Sequence, residues 1–103
     1  MVKEVTNLQE FKTLTEDPSK TVLVDFTATW CGPCKQIAPV FEKLSEQHKN
    51  VTFIKVDVDA ANEIATACNI QAMPTFHLYV KGKKEKELQG ANPAGLEALL
   101  QGL

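Results

Sequence analysis

Arginine is absent from this chain of 103 residues, and its 11 lysines are dispersed among 13 acidic residues, for a formal charge of -2. With no block of one sign, the chain offers no cationic footprint to nucleic acid or to an anionic membrane surface. No window approaches the roughly 20 apolar residues that a membrane span requires. Met1-Val2-Lys3-Glu4-Val5 also lacks the apolar stretch of a secretory signal. A cytoplasmic chain without membrane contact is therefore expected. Cysteine is scarce: three residues are too few, and odd in number, for the framework of a small secreted disulfide protein. In a reducing compartment a close cysteine pair is more often catalytic or metal-binding. Internal repeats, low-complexity segments and Gly/Ser-rich linkers are missing too. With 44% apolar residues, one compact domain spanning 1–103 is expected.

What is present is a regular alternation of strand and helix patterns. Val2 to Val5 reads as a short strand. Asn7 and Glu10 have capping-box spacing, and Leu8, Phe11 and Leu14 recur on one face of a helix expected to end near Asp17-Pro18. Thr21 to Ala28 is a nearly continuous apolar run, the pattern of a central strand buried on both faces. Ile37, Val40, Phe41 and Leu44 repeat at helical spacing, predicting a helix from the cysteine pair to about His48, kinked at Pro39. Val51 to Val58 reads as a strand, and Ala61, Ile64, Ala65 and Cys68 as one face of a short helix. Thr75 to Val80 and Lys84 to Leu88 flank Lys81-Gly82-Lys83, a hairpin signal. Asn92 as cap and Pro93 at the first helical position open a last helix with Leu96, Leu99, Leu100 and Leu103 on one face. The order βαβαβαββα is an α/β fold, a five-stranded mixed sheet flanked by four helices. It places the cysteines at the carboxyl end of a central strand, where ligands commonly bind in such sheets.

Cys31 and Cys34 stand three residues apart, so on a helix their Cβ atoms share a face about 5 to 6 Å apart, near the separation a disulfide needs. Cys31 falls at the helix start, where unpaired N–H groups and the positive end of the macrodipole favour a thiolate. Pro33 costs little in a first turn. A Cys-x-x-Cys can equally be half of a zinc site, but zinc takes four ligands. A second Cys-x-x-Cys or a His-x-x-His is not found, and Cys68, His48 and His77 lack a ligand spacing. No metal is expected, and the pair reads as a redox pair.

Val24-Asp25-Phe26-Thr27-Ala28-Thr29-Trp30-Cys31-Gly32-Pro33-Cys34-Lys35 closely resembles the active-site stretch of thioredoxins, and Ala72-Met73-Pro74-Thr75-Phe76 resembles their second signature. Val56-Asp57-Val58-Asp59 and Gly90-Ala91-Asn92 extend the resemblance along essentially the whole chain. It implies the thioredoxin fold and a protein-disulfide reductase. In that family Cys31 would attack a client disulfide, a mixed disulfide would form, and Cys34 would resolve it. A thioredoxin reductase would then restore the dithiol with electrons from NADPH, no cofactor being bound by the chain itself. Gly32-Pro33 between the cysteines is similar to the reducing members. Disulfide-containing clients and the reductase are the implied partners of an expected monomer. The alternative is a redox-independent binding module within a larger assembly.

Motifs of this kind, thioredoxin itself being the standard instance, lower a thiol from about 8.5 to about 7. At pH 7 this raises the thiolate fraction about 16-fold, but the weaker nucleophile loses about five- to sixfold, a net gain near threefold. Position must therefore matter more: an exposed Cys31, and a resolving thiol held at high effective concentration.

Asp25 interrupts an apolar strand, where burial should raise its pKa. It resembles the family's buried Asp, which would exchange a proton with Cys34, with Lys55 of the next strand as its partner. By the same resemblance Pro74 should be cis and set the Met73 backbone beside Cys31, where an extended client could pair. Trp30, Gly32, Pro33, Met73, Pro74, Thr75, Gly90 and Ala91 are the expected client-contact residues. Cys68 reads as a packed, inert thiol, His48 and His77 as surface or strand residues, and Asp57 and Asp59 as ending a strand and capping the helix after it.

Overall fold

A computed structural model describes residues 1–103. Five strands and four helices follow in the expected order: β1 (Val2–Glu4), α1 (Leu8–Thr15), β2 (Thr21–Thr27), α2 (Gly32–Gln47), β3 (Thr52–Asp57), α3 (Asn62–Ala67), β4 (Thr75–Val80), β5 (Lys83–Gln89) and α4 (Pro93–Leu99). The strands form one sheet in the order β1-β3-β2-β4-β5. Strand β3 runs parallel to both β1 and β2, while β4 runs antiparallel to β2 and β5.

Because side chains alternate across a strand, the sheet carries two cores. On one face Leu23, Phe53, Phe76 and Leu78 meet Ile37, Phe41 and Leu44 of α2 and Leu96 and Leu99 of α4. On the other, Val22, Val24, Phe26, Ile54 and Val56 meet Phe11 of α1 and Ile64 of α3. Strand β2 is buried from Val22 to Phe26, as its unbroken apolar run requires.

The caps hold as read. Asn7 Oδ1 accepts the Glu10 N–H at 3.0 Å, and Asn92 Oδ1 accepts that of Gly95 at 3.1 Å. The β4–β5 turn has two residues, Lys81 and Gly82, both at positive φ, as a tight hairpin of this hand demands. Gly82 is required twice over, because a Cβ there would sit 2.7 Å from the Glu16 carbonyl oxygen.

Two expectations need correction. Leu103 does not continue the α4 face: the helix ends at Leu99, capped by Leu100, and Leu103 is 49% exposed beyond a closing turn. Asp57 and Asp59 do not cap α3, whose N-cap is Ala61 without a side-chain bond. Instead Asp57 Oδ1 takes the N–H groups of Asp59 and Ala60, folding the chain tightly after β3. Helix α2 carries Pro39 in its interior, as read.

Candidate active site

Cys31 is the N-cap of α2. Its backbone is extended, and its Sγ accepts the Cys34 N–H at 3.2 Å, one of the donors a helix start leaves free. Cys31 and Cys34 are joined by a disulfide with Cα atoms 5.3 Å apart. This is the oxidised state of the pair.

Cys31 is not exposed as expected: it retains 5% of its surface and Cys34 2%. Both pack with Ala28 in a small cluster bordered by Val58 and Met73. What the site shows to solvent is its surroundings, with Trp30 65% exposed and Gly32 and Pro33 exposed beside it. The physical reason is that the sulfur is tied back to Cys34 and covered by Ala28, Val58 and Met73, which the fold brings over it.

Trp30 is fixed by Asp59, whose Oδ2 accepts the indole N–H at 2.8 Å. The bond links the loop before α2 to the loop after β3. No sequence spacing advertised this role for Asp59; it arises where two loops meet. Trp30, Val58, Asp59, Ile70 and Met73 line an open groove of about 420 Å³.

The Met73–Pro74 peptide is cis. The Met73 carbonyl oxygen lies 3.8 Å from Cys31 Sγ, so the two signatures, distant in sequence, meet at the reactive sulfur. Behind them Thr75 Oγ1 donates to the Ala72 carbonyl at 2.5 Å, and the Gly90 N–H donates to the Pro74 carbonyl at 2.9 Å. Gly90 has φ +100°, a conformation that favours glycine. Ala91 is half-buried against the α2/α4 core.

On the other side of the disulfide a cavity of about 250 Å³ is lined by Cys34, Asp25 and Lys55, with Glu4, Lys35 and Asp57 among its other walls. Asp25 is buried, and its Oδ1 has no hydrogen-bond partner. Burial pushes its carboxyl up to about 7, against the downward pull of Lys55. Lys55 is its register partner on β3, but makes no ion pair within 4 Å and stays exposed. The expected partnership is thus one of proximity, without a direct bond.

The remaining residues lie elsewhere. Cys68 is a free thiol at the end of α3, half-buried, and burial raises its pKa. His77 is a buried residue of β4, and burial, with Lys84, lowers it to about 4. Its Nε2 is 3.4 Å from Glu87 Oε1, while Nδ1 has no partner.

A family model described as Thioredoxin matches residues 2–102. The chain is 54% identical over 101 residues to Thioredoxin-1 of Schizosaccharomyces pombe, covering 98% of this chain and 97% of the relative. It is 52% identical over 103 residues to a thioredoxin of Coprinus comatus, with 98% and 96% covered. Among solved structures, the oxidised mitochondrial thioredoxin 3 of Saccharomyces cerevisiae superposes with a TM-score of 0.93 at 41% identity, over 99% of this chain and 95% of that one. The thioredoxin of Trypanosoma brucei brucei also reaches 0.93, at 35% identity, over 98% and 88%.

Proposed function

The chain belongs to the thioredoxin family and is a thiol-disulfide oxidoreductase that reduces protein disulfides; from the geometry of its site we propose how its cycle runs. The reduced Cys31 thiolate, favoured by the Cys34 N–H and the helix start, attacks one sulfur of a client disulfide. The client S–S bond breaks, a Cys31–client disulfide forms, and the departing client sulfur takes a proton. Cys34 then passes its proton to Asp25, directly or through water in their shared cavity, and its thiolate attacks Cys31 Sγ. The client's second sulfur leaves and is protonated. Two electrons have moved to the client, and the Cys31–Cys34 disulfide remains. The observation that carries this reading is the orphaned Asp25 carboxylate oxygen in the one cavity that Cys34 also lines.

Clients dock as extended segments against Trp30, Gly32, Pro33, Met73, Pro74, Thr75, Gly90 and Ala91. The Met73 backbone offers strand-like pairing beside the reactive sulfur. A thioredoxin reductase returns the pair to the dithiol with electrons that originate in NADPH. The protein works in the cytoplasm as a single domain and as a monomer.

Cys34→Ser tests the order of events. Mixed with a disulfide-bonded model protein, the reduced variant accumulates a covalent adduct through Cys31 that a small dithiol releases. An adduct that fails to form, or one that forms equally with Cys31→Ser, overturns the assignment of attacking and resolving thiols.

A further inference from the structure

Three charged residues occupy one row of the sheet. Glu4 on β1 is in register with Lys55 on β3, and Lys55 is in register with Asp25 on β2. Register partners point to the same face, about 4.8 Å apart, and here that face holds the cavity that all three line together with Cys34. The row grades from exposed Glu4 through exposed Lys55 to buried Asp25. Lys55 stands between two carboxylates, and no ion pair within 4 Å commits it to either. Its flexible stem can carry the ammonium toward one or the other.

We propose that Glu4 is a positioning residue for the redox step, holding Lys55 when Asp25 is protonated and yielding it when Asp25 is ionised. The inference rests on the role of Asp25 as proton acceptor for Cys34. An ammonium fixed beside Asp25 would favour the carboxylate and weaken it as a base. An ammonium shared with Glu4 leaves the ionised Asp25 basic enough to take the thiol proton, and as Asp25 becomes neutral the ammonium returns to Glu4. Glu4 thus acts on Cys34 through Lys55 and Asp25, without touching either sulfur.

Other charges face Asp25 as well. Lining the same cavity are Lys35 from α2, with Cys34 uncharged in the disulfide, and from β3 Asp57 in addition to Lys55. Strand β4 supplies Phe76 as register partner and no charge. Lys35 and Asp57 lie outside the Glu4–Lys55–Asp25 row, so substitutions at Glu4 isolate the row from them.

The test follows the Asp25 carboxyl by carbon NMR through a pH series on the intact, oxidised protein. Glu4→Gln should make Asp25 more acidic by about fivefold in Ka, beyond the about twofold that one charge exerts directly across two strand spacings in a water-exposed setting, because the released Lys55 ammonium moves to Asp25. Glu4→Asp should restore most of the parent value. In a Lys55→Gln background, Glu4→Gln should change the midpoint by less than half as much. A Glu4→Gln midpoint equal to the parent's, or an undiminished shift without Lys55, overturns the proposal. Neither reading depends on turnover, so a failure here is distinct from a failure of Asp25 as the proton acceptor, which Asp25→Asn kinetics decide.

Discussion

Two consecutive rows of the sheet each bury an ionisable side chain, on opposite faces, with different outcomes. Asp25 lies in register with Lys55 and Phe76; one residue along, Val24 lies between Ile54 and His77, which pairs in turn with Glu87. Each buried group leaves one polar atom without a partner, Asp25 Oδ1 and His77 Nδ1. Burial pushes both toward neutrality, the carboxyl upward and the imidazole downward. The surroundings separate them. Asp25 opens on a cavity shared with a redox sulfur, whereas His77 is packed edge-on to Phe26 with ring centroids 4.9 Å apart, near Tyr79. A perturbed pKa marks burial; only a reacting neighbour makes it useful.

The largest test of this contrast is Asp25→Asn. The native carboxyl near 7 lies above its unfolded value of 3.8, so the folded state binds more protons in between. Stability is then lost as pH rises from about 4 through about 7, by up to the order of 4 kcal/mol. Denaturant unfolding at stepped pH should show this loss vanish in Asp25→Asn. Resolution of the mixed disulfide should slow by about ten- to a hundredfold. Parallel stability curves for parent and variant would remove the basis for a buried, costly carboxylate.

His77→Gln should do the reverse in stability and nothing in catalysis. The imidazole near 4 lies below its usual 6.5, so the unfolded state binds more protons and stability is lost as pH falls from about 6.5 through about 4. The variant should lack that acid loss while reducing client disulfides within about twofold of the parent. Because the two groups act in opposite directions between about 4 and 6.5, their effects partly cancel in the parent. The double variant should show the flattest profile in that interval. A turnover defect in His77→Gln would erase the distinction between the rows.

The smallest effect is expected at Glu87, whose carboxylate is the one neighbour raising His77 and is itself held low by a 2.8 Å bond from Lys84. Glu87→Gln should displace the imidazole titration, followed by proton NMR, further downward in pH, an increase of about twofold in Ka, as for a partly exposed pair. An upward displacement would mean that Glu87 does not favour the charged ring.

Much of this is legible in the sequence. The caps at Asn7 and Asn92, the buried run of β2, the helical spacing after Cys34 and the Lys81-Gly82 turn are local signals, and local backbone chemistry answered them. Asp25 was legible as well, because a carboxylate in an apolar strand is conspicuous. Residues that work through partners far along the chain were less so. Trp30 was expected at the surface, but its anchor Asp59 was read as a helix cap. Lys55 was expected to pair with Asp25 and proved free. Cys31 was expected in the open and is covered by Ala28, Val58 and Met73, which come from three separate stretches of the chain.

The sequence by itself determined a closable cysteine pair at a helix start, an alternation of strands and helices, and a buried acid one strand upstream, because each depends on spacing within one element. Only the tertiary structure decided which groups meet: the Met73 carbonyl with Cys31, Asp59 with Trp30, and Glu4 and Lys55 with Asp25 in one row. Such meetings depend on strand order and register, in which a slip of one residue would turn every side chain of a strand to the opposite face.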